Sequence, residues 1–429
     1  MPTTTMNAVT RWVLVAIEFA VLITLFLWVA RDYLAVLIAE KPSIHNLALA
    51  EKYSPGDAIY THMEGRLFQY SVTDVDPAQA FEKLTQSVRL NPYEPQAWLD
   101  LAAALELQGE AGQAEQCIRR ASTLAPRQPQ FQWAVANFYV LHGNIDEAFK
   151  HLKMVLASDP GYDASIFNTA WKASGDANKI LQELIPDTDY AEFRYLYFLI
   201  GSQRYPEADA VWDRIKSGSS KFNPQVASGY LESLISNRRP EDAYHAWEVL
   251  RGRGIIGPTY EETPQNLVEN GDFEEVPLNL GFDWRMAGFD GVYIGLDQTT
   301  FHSPAHSLLV QFQGKGNYDF QNVYQLVLVK PDTAYQFRAF MKTSGITTDS
   351  GPRIEIKDSY DPRNLDVSTQ NLVGSSPGWI LISQDFRTGS KTHLISVVLR
   401  RYPSQKFDNL ISGKVWLDDV TLTEGSMPR

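Results

Sequence analysis

Hydrophobic positions along the chain follow three successive regimes. From Trp12 to Ala30 (WVLVAIEFAVLITLFLWVA) nineteen residues carry one charge, Glu18. That length matches the roughly 20 residues a helix needs to cross a bilayer. Trp12 and Trp28 stand near its ends, where indole rings favour the headgroup interface, and Arg11 and Arg31 bracket it. The pattern predicts a short tail over 1–11 and a transmembrane anchor over 12–30, with the helix running on to about residue 40. A cleaved secretory signal would have a shorter apolar run ending in small residues, so an uncleaved anchor fits better. Glu18 reads as a carboxylate snorkelling near the interface.

From about 45 to 255 the period is helical and the sequence repeats. Ala80, Ala114 and Ala148 are 34 apart, as are Leu84, Ile118 and Leu152, Pro92, Pro126 and Pro160, and Gly109 and Gly143. Trp98, Leu101, Ala102 and Leu105 form a stripe at three- and four-residue spacing, which places one apolar face on a helix. Gly109 marks a turn, and Ala114, Ile118 and Ala121 a second helix. The register predicts antiparallel helix pairs stacked in tandem, roughly five across 45–255. After 160 the repeat drifts, although PEADAVW (206–212) and PEDAYHAW (240–247) look like second-helix starts, with Ala208 and Ala243 35 apart. The unit before Pro92 shows its second half alone.

Beyond Gly257 the period changes to two. Residues 256–265 read as a linker, and alternating stretches follow: SLLVQFQ, YQLVLV, AYQFRAFMKT, PRIEIKD, WILISQDF, HLISVVLRR and KVWLDDVTL. Tyr335, Phe337, Ala339 and Met341 share one face, and Gln336, Arg338 and Lys342 the other, as in a half-buried antiparallel strand. About eight strands over 266–424 predict a two-sheet jelly-roll sandwich. The fold class is therefore multidomain, α plus β: a transmembrane helix, an α-solenoid and a C-terminal β-sandwich.

The helical spacing resembles the tetratricopeptide repeat. Trp98, Ala102, Ala114, Ile118, Ala121 and Pro126 match its pattern, as do Ala136, Tyr139, Ala148, Leu152 and Pro160, with Val155 in place of the second-helix Ala. The resemblance implies a concave groove that binds a protein or peptide partner. NLVENGDFEE (266–275), Trp284, HSPAHSLLV (302–310), VLVKPDTAYQFRAFMK and VWLDDVTL (415–422) together resemble the carbohydrate-binding-module type of galactose-binding-like jelly roll. That likeness implies a structural calcium joining the first and last strands, with Glu274 and Asp419 as ligands and Asp272 and Asp418 as adjacent alternatives, since hard oxygen donors suit calcium. It places Trp284 and Trp379 in the core. Tyr318, Phe320, Tyr324 and Tyr360, near strand edges or loops, are the candidate sugar-contacting aromatics.

Charge and chemistry narrow the reading. A net charge of -13 argues against nucleic acid, which needs clustered Lys and Arg. Cys117, the one cysteine, excludes an intramolecular disulfide and reads as an inert core thiol. His302 and His306 flank Pro304, which forbids the helix an i,i+4 zinc pair needs. GKG at 314–316 lacks the rest of a phosphate loop, and no Gly-x-Ser-x-Gly elbow or His-Glu-x-x-His helix is present. The expectation is a non-catalytic scaffold of the bacterial cell envelope. It sits single-pass in the inner membrane with its bulk outside the cytoplasm, and it has a protein partner and a polysaccharide ligand. By domain company it serves exopolysaccharide or O-antigen assembly or export. A glycan-active enzyme with accessory repeats, or a structural interaction module, is the alternative.

Overall fold

The computed structural model describes residues 8–158, 160–218, 220–257 and 266–425. Most of the tail, residues 1–7, and most of the linker, residues 258–265, lie outside the described residues. The chain divides into two compact units, 1–191 and 192–429. The division falls within the helical region, so the last helices group with the sandwich.

In the first unit, α1 (Ala8–Ala39) leads to α2 (Ile44–Tyr53), α3 (Ala58–Tyr70), α4 (Pro77–Leu90), α5 (Pro95–Leu107), α6 (Ala111–Leu124), α7 (Pro129–Leu141), α8 (Ile145–Ser158), α9 (Asp163–Ser174) and the short α10 (Ala177–Lys179), which runs into a π-helical turn, Ile180–Leu184. Residues Arg11–Ala39 of α1 are apolar and long enough to cross a membrane, and none of that span's apolar window is buried by protein. Helix starts are set locally: Ser43, Asp57 and Asp76 accept amides of the first turn, and Pro77, Pro95 and Pro129 occupy first-turn positions where no amide partner is missed.

The pairs α5/α6 and α7/α8 form the antiparallel hairpins that the 34-residue register demands. Ala80, Ala114 and Ala148 are at most 1% exposed, and Leu84, Ile118 and Leu152 at most 5%. Each buried Leu or Ile contributes roughly 1.5–3 kcal/mol, and the alanines let the helices approach closely enough for that burial. Gly109 (φ +79°) and Gly143 (φ +71°) close the intervening turns in a left-handed conformation that glycine adopts without strain.

The unit before Pro92 is complete, which corrects the expectation of half a repeat. Its first helix is α3, hidden from the register because the α3–α4 turn spans six residues (71–76) where the α5–α6 turn spans three (108–110). Shifted by three, Gly65 takes the close-contact position, and a Cβ there would lie 2.8 Å from Leu84 Cγ.

The division falls in the first turn of α11 (Asp189–Gly201); α11, α12 (Tyr205–Ser217), α13 (Ser228–Ser236) and α14 (Pro240–Gly252) continue the pairing, with α12 and α14 at the two second-helix starts read from the sequence. Their turns keep the left-handed residue but build it from Gln203 and Arg238, both at φ +59°. A non-glycine residue there costs on the order of 1 kcal/mol. That substitution is why the repeat fades from the sequence while its backbone persists. Counting α9 with its short partner, the described residues hold six helix pairs rather than roughly five.

The sandwich contains β1 (Arg285–Met286), β2 (Val292–Asp297), β3 (Ser307–Gln313), β4 (Phe320–Leu328), β5 (Ala334–Ser344), β6 (Arg353–Asp358), β7 (Asp366–Ser368), β8 (Ile380–Arg387), β9 (Leu394–Arg401) and β10 (Ser412–Glu424). Two five-stranded antiparallel sheets run β1-β4-β9-β6-β7 and β2-β3-β10-β5-β8. Tyr335, Phe337, Ala339 and Met341 point into the core between them, as their alternation requires, with Trp284 at 0% exposure. Trp379 is half-buried instead.

Candidate functional site

The outer face of the first sheet carries the densest polar chemistry in the second unit. Register places Arg285, Tyr324, Val398, Glu355 and Ser368 in one row across all five strands. Arg400 and Arg353 pair in the next row, and Leu326, Ser396 and Lys357 lie on the other side. Leu328 and Leu394 follow at the far end.

That far end is covered. All eight residues of β9 are buried, including Leu394, Ser396 and Val398, which point away from the sandwich core. A strand buried on both faces needs a second layer, and α13 and α14 supply it. Glu232 pairs with Arg285, Glu241 lies 2.6 Å from His393, and Arg251 pairs with Glu269. Trp247 and Tyr244 pack their rings on Phe282. Gly281 is required at this junction: its φ is +56°, and a Cβ would lie 2.6 Å from the Trp247 ring. HLISVVLRR, which the alternating pattern predicts to be half-buried, is thus covered on both faces, and its consecutive apolar residues on either side of Ser396 are the sequence signal for it.

The opposite end is open. Tyr402 is 40% exposed, and the Arg400 and Arg353 guanidiniums lie 4.0 and 5.4 Å from its ring centre. The Tyr402 hydroxyl donates to Glu355, and Lys357 Nζ lies 3.0 Å from the same carboxylate. Burial alone would raise the Glu355 pKa, but the hydrogen bonds from Tyr402 and Lys357, with the charges of Lys357 and Arg400, bring it below the usual range. Arg400 also pairs with the exposed Asp319. The Nε atoms of Arg353 and Arg400 are buried without a hydrogen-bond partner among the described residues. Glu355 and Arg400 are themselves buried, 3% and 7% exposed, so what this end presents to solvent is the Tyr402 ring with the partly exposed Arg353 and the exposed Asp319, held in place by the pair beneath.

Of the four sequence-selected aromatics, the structure brings Tyr324 to this face, with Arg285 5.6 Å from its ring centre. Phe320 is 1% exposed inside the core and cannot stack on a ligand, which corrects that expectation. Its aromatic side chain faces inward because a bulge between Phe320 and Val323 sets it opposite Arg401, on the same face of β9 as the core residues Val397 and Leu399. Tyr318 is half-buried beside Phe289, and its hydroxyl donates to Asp290 O at 3.4 Å. Tyr360 is held by the helices: its hydroxyl donates to Ile235 O at 2.8 Å, and Arg238 covers its ring at 5.4 Å. Arg353, Glu355, Arg400 and Tyr402 were not singled out from sequence, because isolated charges on alternating strands carry no spacing signature.

The carboxylates expected to bind calcium converge, although nearly 150 residues separate them. Glu274 accepts the His306 amide at 3.0 Å and lies 2.9 Å from His306 Nδ1. Asp418 accepts the amides of His302 (2.6 Å), Ser303 (3.1 Å) and Asp419 (2.8 Å), together with the Ser303 hydroxyl. Asp419, at φ +46° in the bulge of β10, pairs with the His302 ring. Burial, then the charges of Glu274 and Asp419, raises the Asp272 pKa. The histidine loop occupies the carboxylate oxygens, and among the described residues no group of three or more such side chains is disposed to hold a metal ion. These hydrogen bonds tie the first loop of the sandwich and the His302–His306 loop to its last strand.

In the first unit Cys117 is buried, with its thiol pKa pushed up to about 11 by desolvation. Leu107 and Leu141 end α5 and α7, 34 residues apart, and are 68% and 82% exposed. Apolar side chains at one repeat position in water suit contact with another protein.

Residues 74–138 match the family model described as "Tetratricopeptide repeat". A tetratricopeptide segment and a β-sandwich thus share this chain. No curated protein matches the sequence. Among solved structures the chain is similar to the CBM22-1–GH10 modules of xylanase Xyn10B from Clostridium thermocellum, solved with xylohexaose, at 17% identity and a TM-score of 0.26 over 38% of this chain. The match spans 29% of that xylanase chain. A MamA protein is similar at 16% identity and a TM-score of 0.31 over 41% of this chain and 95% of its own. A CBM4 structure is similar at 12% identity and a TM-score of 0.27 over 37% and 99%.

Proposed function

We propose that this chain is a membrane-anchored, non-catalytic scaffold of the bacterial cell envelope. The apolar α1 fixes it in the inner membrane with the bulk outside the cytoplasm, the tetratricopeptide segment recruits a protein partner, and the sandwich holds a glycan. Assembly or export of an exopolysaccharide or O-antigen-like polymer is the process this combination serves.

The observation that carries the glycan reading is the open end of the first sheet, where Glu355, Arg353, Arg400 and Tyr402 converge. Sugars present an apolar ring face and hydroxyls that both donate and accept, and this end presents the exposed Tyr402 ring with Arg353 and Asp319 beside it, positioned by the buried Glu355 and Arg400. Hydrolysis needs one carboxylic acid kept protonated opposite a second carboxylate. Glu355 is instead held ionised by Lys357 and Arg400, so the arrangement favours holding a glycan over cleaving it.

Affinity electrophoresis of the detergent-solubilised chain through gels containing bacterial exopolysaccharides tests this. Retardation by at least one polymer is expected, with Glu355→Gln weakening it about tenfold through loss of one charge-assisted hydrogen bond. Migration unaffected by every polymer would remove the glycan and leave a protein-interaction module. Release of new reducing ends would replace the scaffold by an enzyme.

A further inference from the structure

The helix that supplies the anchor does not stop where its uninterrupted apolar run ends. Helix α1 spans 32 residues, about 48 Å at 1.5 Å per residue, whereas a bilayer core needs roughly 30 Å. Its last turns are two-faced. Ala35 is fully buried, and with Ile38 and Ala39 it packs against Leu47, Ala50, Tyr60, Met63 and Leu67 of α2 and α3. On the other side Tyr33, Leu34, Val36 and Leu37 are 41–60% exposed. Tyr33 on that outward side and the charged Arg31 and Asp32 next to it mark the depth of the lipid headgroups, with Leu34, Val36 and Leu37 against lipid. The anchor and the first helices of the array therefore form one packed body at the membrane surface.

At that level α1 and α3 enclose an open cavity of about 1030 Å³, lined by Trp28, Arg31 and Asp32 on one side and by Asp57, His62 and Arg66 on the other. Two guanidiniums face it. Arg31 is 3.5 Å from Asp32 and 43% exposed. Arg66 is 52% exposed, with Nε 3.4 Å from the buried Asp100. His62 at 2.8 Å and Gln96 at 3.1 Å also bind that carboxylate, so Asp100 fixes where Arg66 stands. A guanidinium fork matches the oxygens of a phosphate, and an indole at Trp28 suits the glycerol and carbonyl depth beneath it. Asp32 and Asp57 add negative charge a short way from the arginines, which suits an ammonium group.

We propose that this cavity seats the headgroup of a phosphoethanolamine lipid, with its phosphate between Arg31 and Arg66 and its ammonium toward Asp32 and Asp57. The proposal rests on the anchor reading, because only a membrane-embedded α1 brings lipid to this depth. The seated lipid fixes the rotation of α1 against α3 and so the orientation of the helical array on the bilayer.

Native mass spectrometry of the full chain in detergent, titrated with phosphatidylethanolamine, tests it. Wild type is expected to retain one lipid, and the Arg31→Gln/Arg66→Gln double variant to bind at least tenfold more weakly. Arg66→Lys, which keeps the charge beside Asp100, is expected to retain most binding and shows that the loss is not unfolding. Equal occupancy of wild type and double variant overturns the site. Phosphatidylglycerol binding as tightly as phosphatidylethanolamine overturns the ethanolamine assignment, and displacement by an equal concentration of soluble glycerophosphoethanolamine overturns lipid as the source. Carbonate washing of membranes separates the two readings: wild type in the wash would remove the anchor, whereas retention of both proteins with equal lipid binding would remove the pocket alone.

Discussion

The two sheets of the sandwich share a core but present opposite outer faces. On the second sheet Lys342 and Lys414 flank the Trp416 ring at 5.6 and 5.9 Å, Trp416 Nε1 donates to Asp297 at 2.7 Å, and Leu381 and Tyr293 stand in water. That face is closed locally by its own side chains. The first sheet is closed at one end by α13 and α14, and at the other the exposed Tyr402 ring and Arg353 lie over a buried Glu355–Arg400 ion pair. The contrast teaches that an outward strand face can be recruited in two ways at once, as a docking surface for helices and as a polar cradle. The first fixes the position of the second.

The largest expected effect breaks the comparison directly. Leu394→Asp, on the covered end of the first sheet, places an unpaired charge beneath the helices and should cost about 4 kcal/mol. Leu381→Asp, on the second sheet at 52% exposure, should cost about 0.5 kcal/mol or less. Chemical denaturation of both variants checks the difference; equal costs would mean that the helices do not cover the first sheet.

A smaller effect sharpens the account of the helix-covered side. Asp283 lies in the segment between Phe282, which meets the helices, and the core Trp284; burial pushes its carboxyl pKa up to about 6. Folding raises this value, so the native state keeps a proton that the unfolded chain has already released. Stability should therefore fall as pH rises from about 4 to about 6, by about 3 kcal/mol, and stay level above that. Asp283→Asn should remove that slope, measured as the difference between wild-type and variant unfolding free energies across the range.

The smallest effect concerns the carboxylates behind the second sheet. With Glu274, Asp418 and Asp419 already satisfied by the His302–His306 loop, a chelator should leave the melting temperature unchanged. A fall of several degrees would mean that these groups rearrange around calcium in solution.

Much of the fold was legible. Alanines at a fixed step demanded close helix pairs, and strict alternation in 334–342 demanded a half-buried strand. What escaped did so for physical reasons. The first helix of the opening pair was shifted by a longer turn, and the later turns kept their backbone with Gln203 and Arg238 where glycine would have signalled it. The site was less legible. Tyr324 could be chosen as an aromatic near a strand edge, but Phe320, four residues earlier on the same strand, was chosen on the same grounds and faces the core. A bulge between Phe320 and Val323 changes the register there, and no residue pattern marks it. Glu355 and Arg400 meet because β6 and β9 are neighbours in the sheet, a fact of topology that their separation in sequence does not announce.

Hydrogen–deuterium exchange of the full chain, with and without a polysaccharide that retards it, tests most directly the claim that the open end of the first sheet is the working face. Slowed exchange should be confined to β6 and to residues 400–404, with β2 and β8 unchanged. Protection on β8, or none in β6, would contradict it.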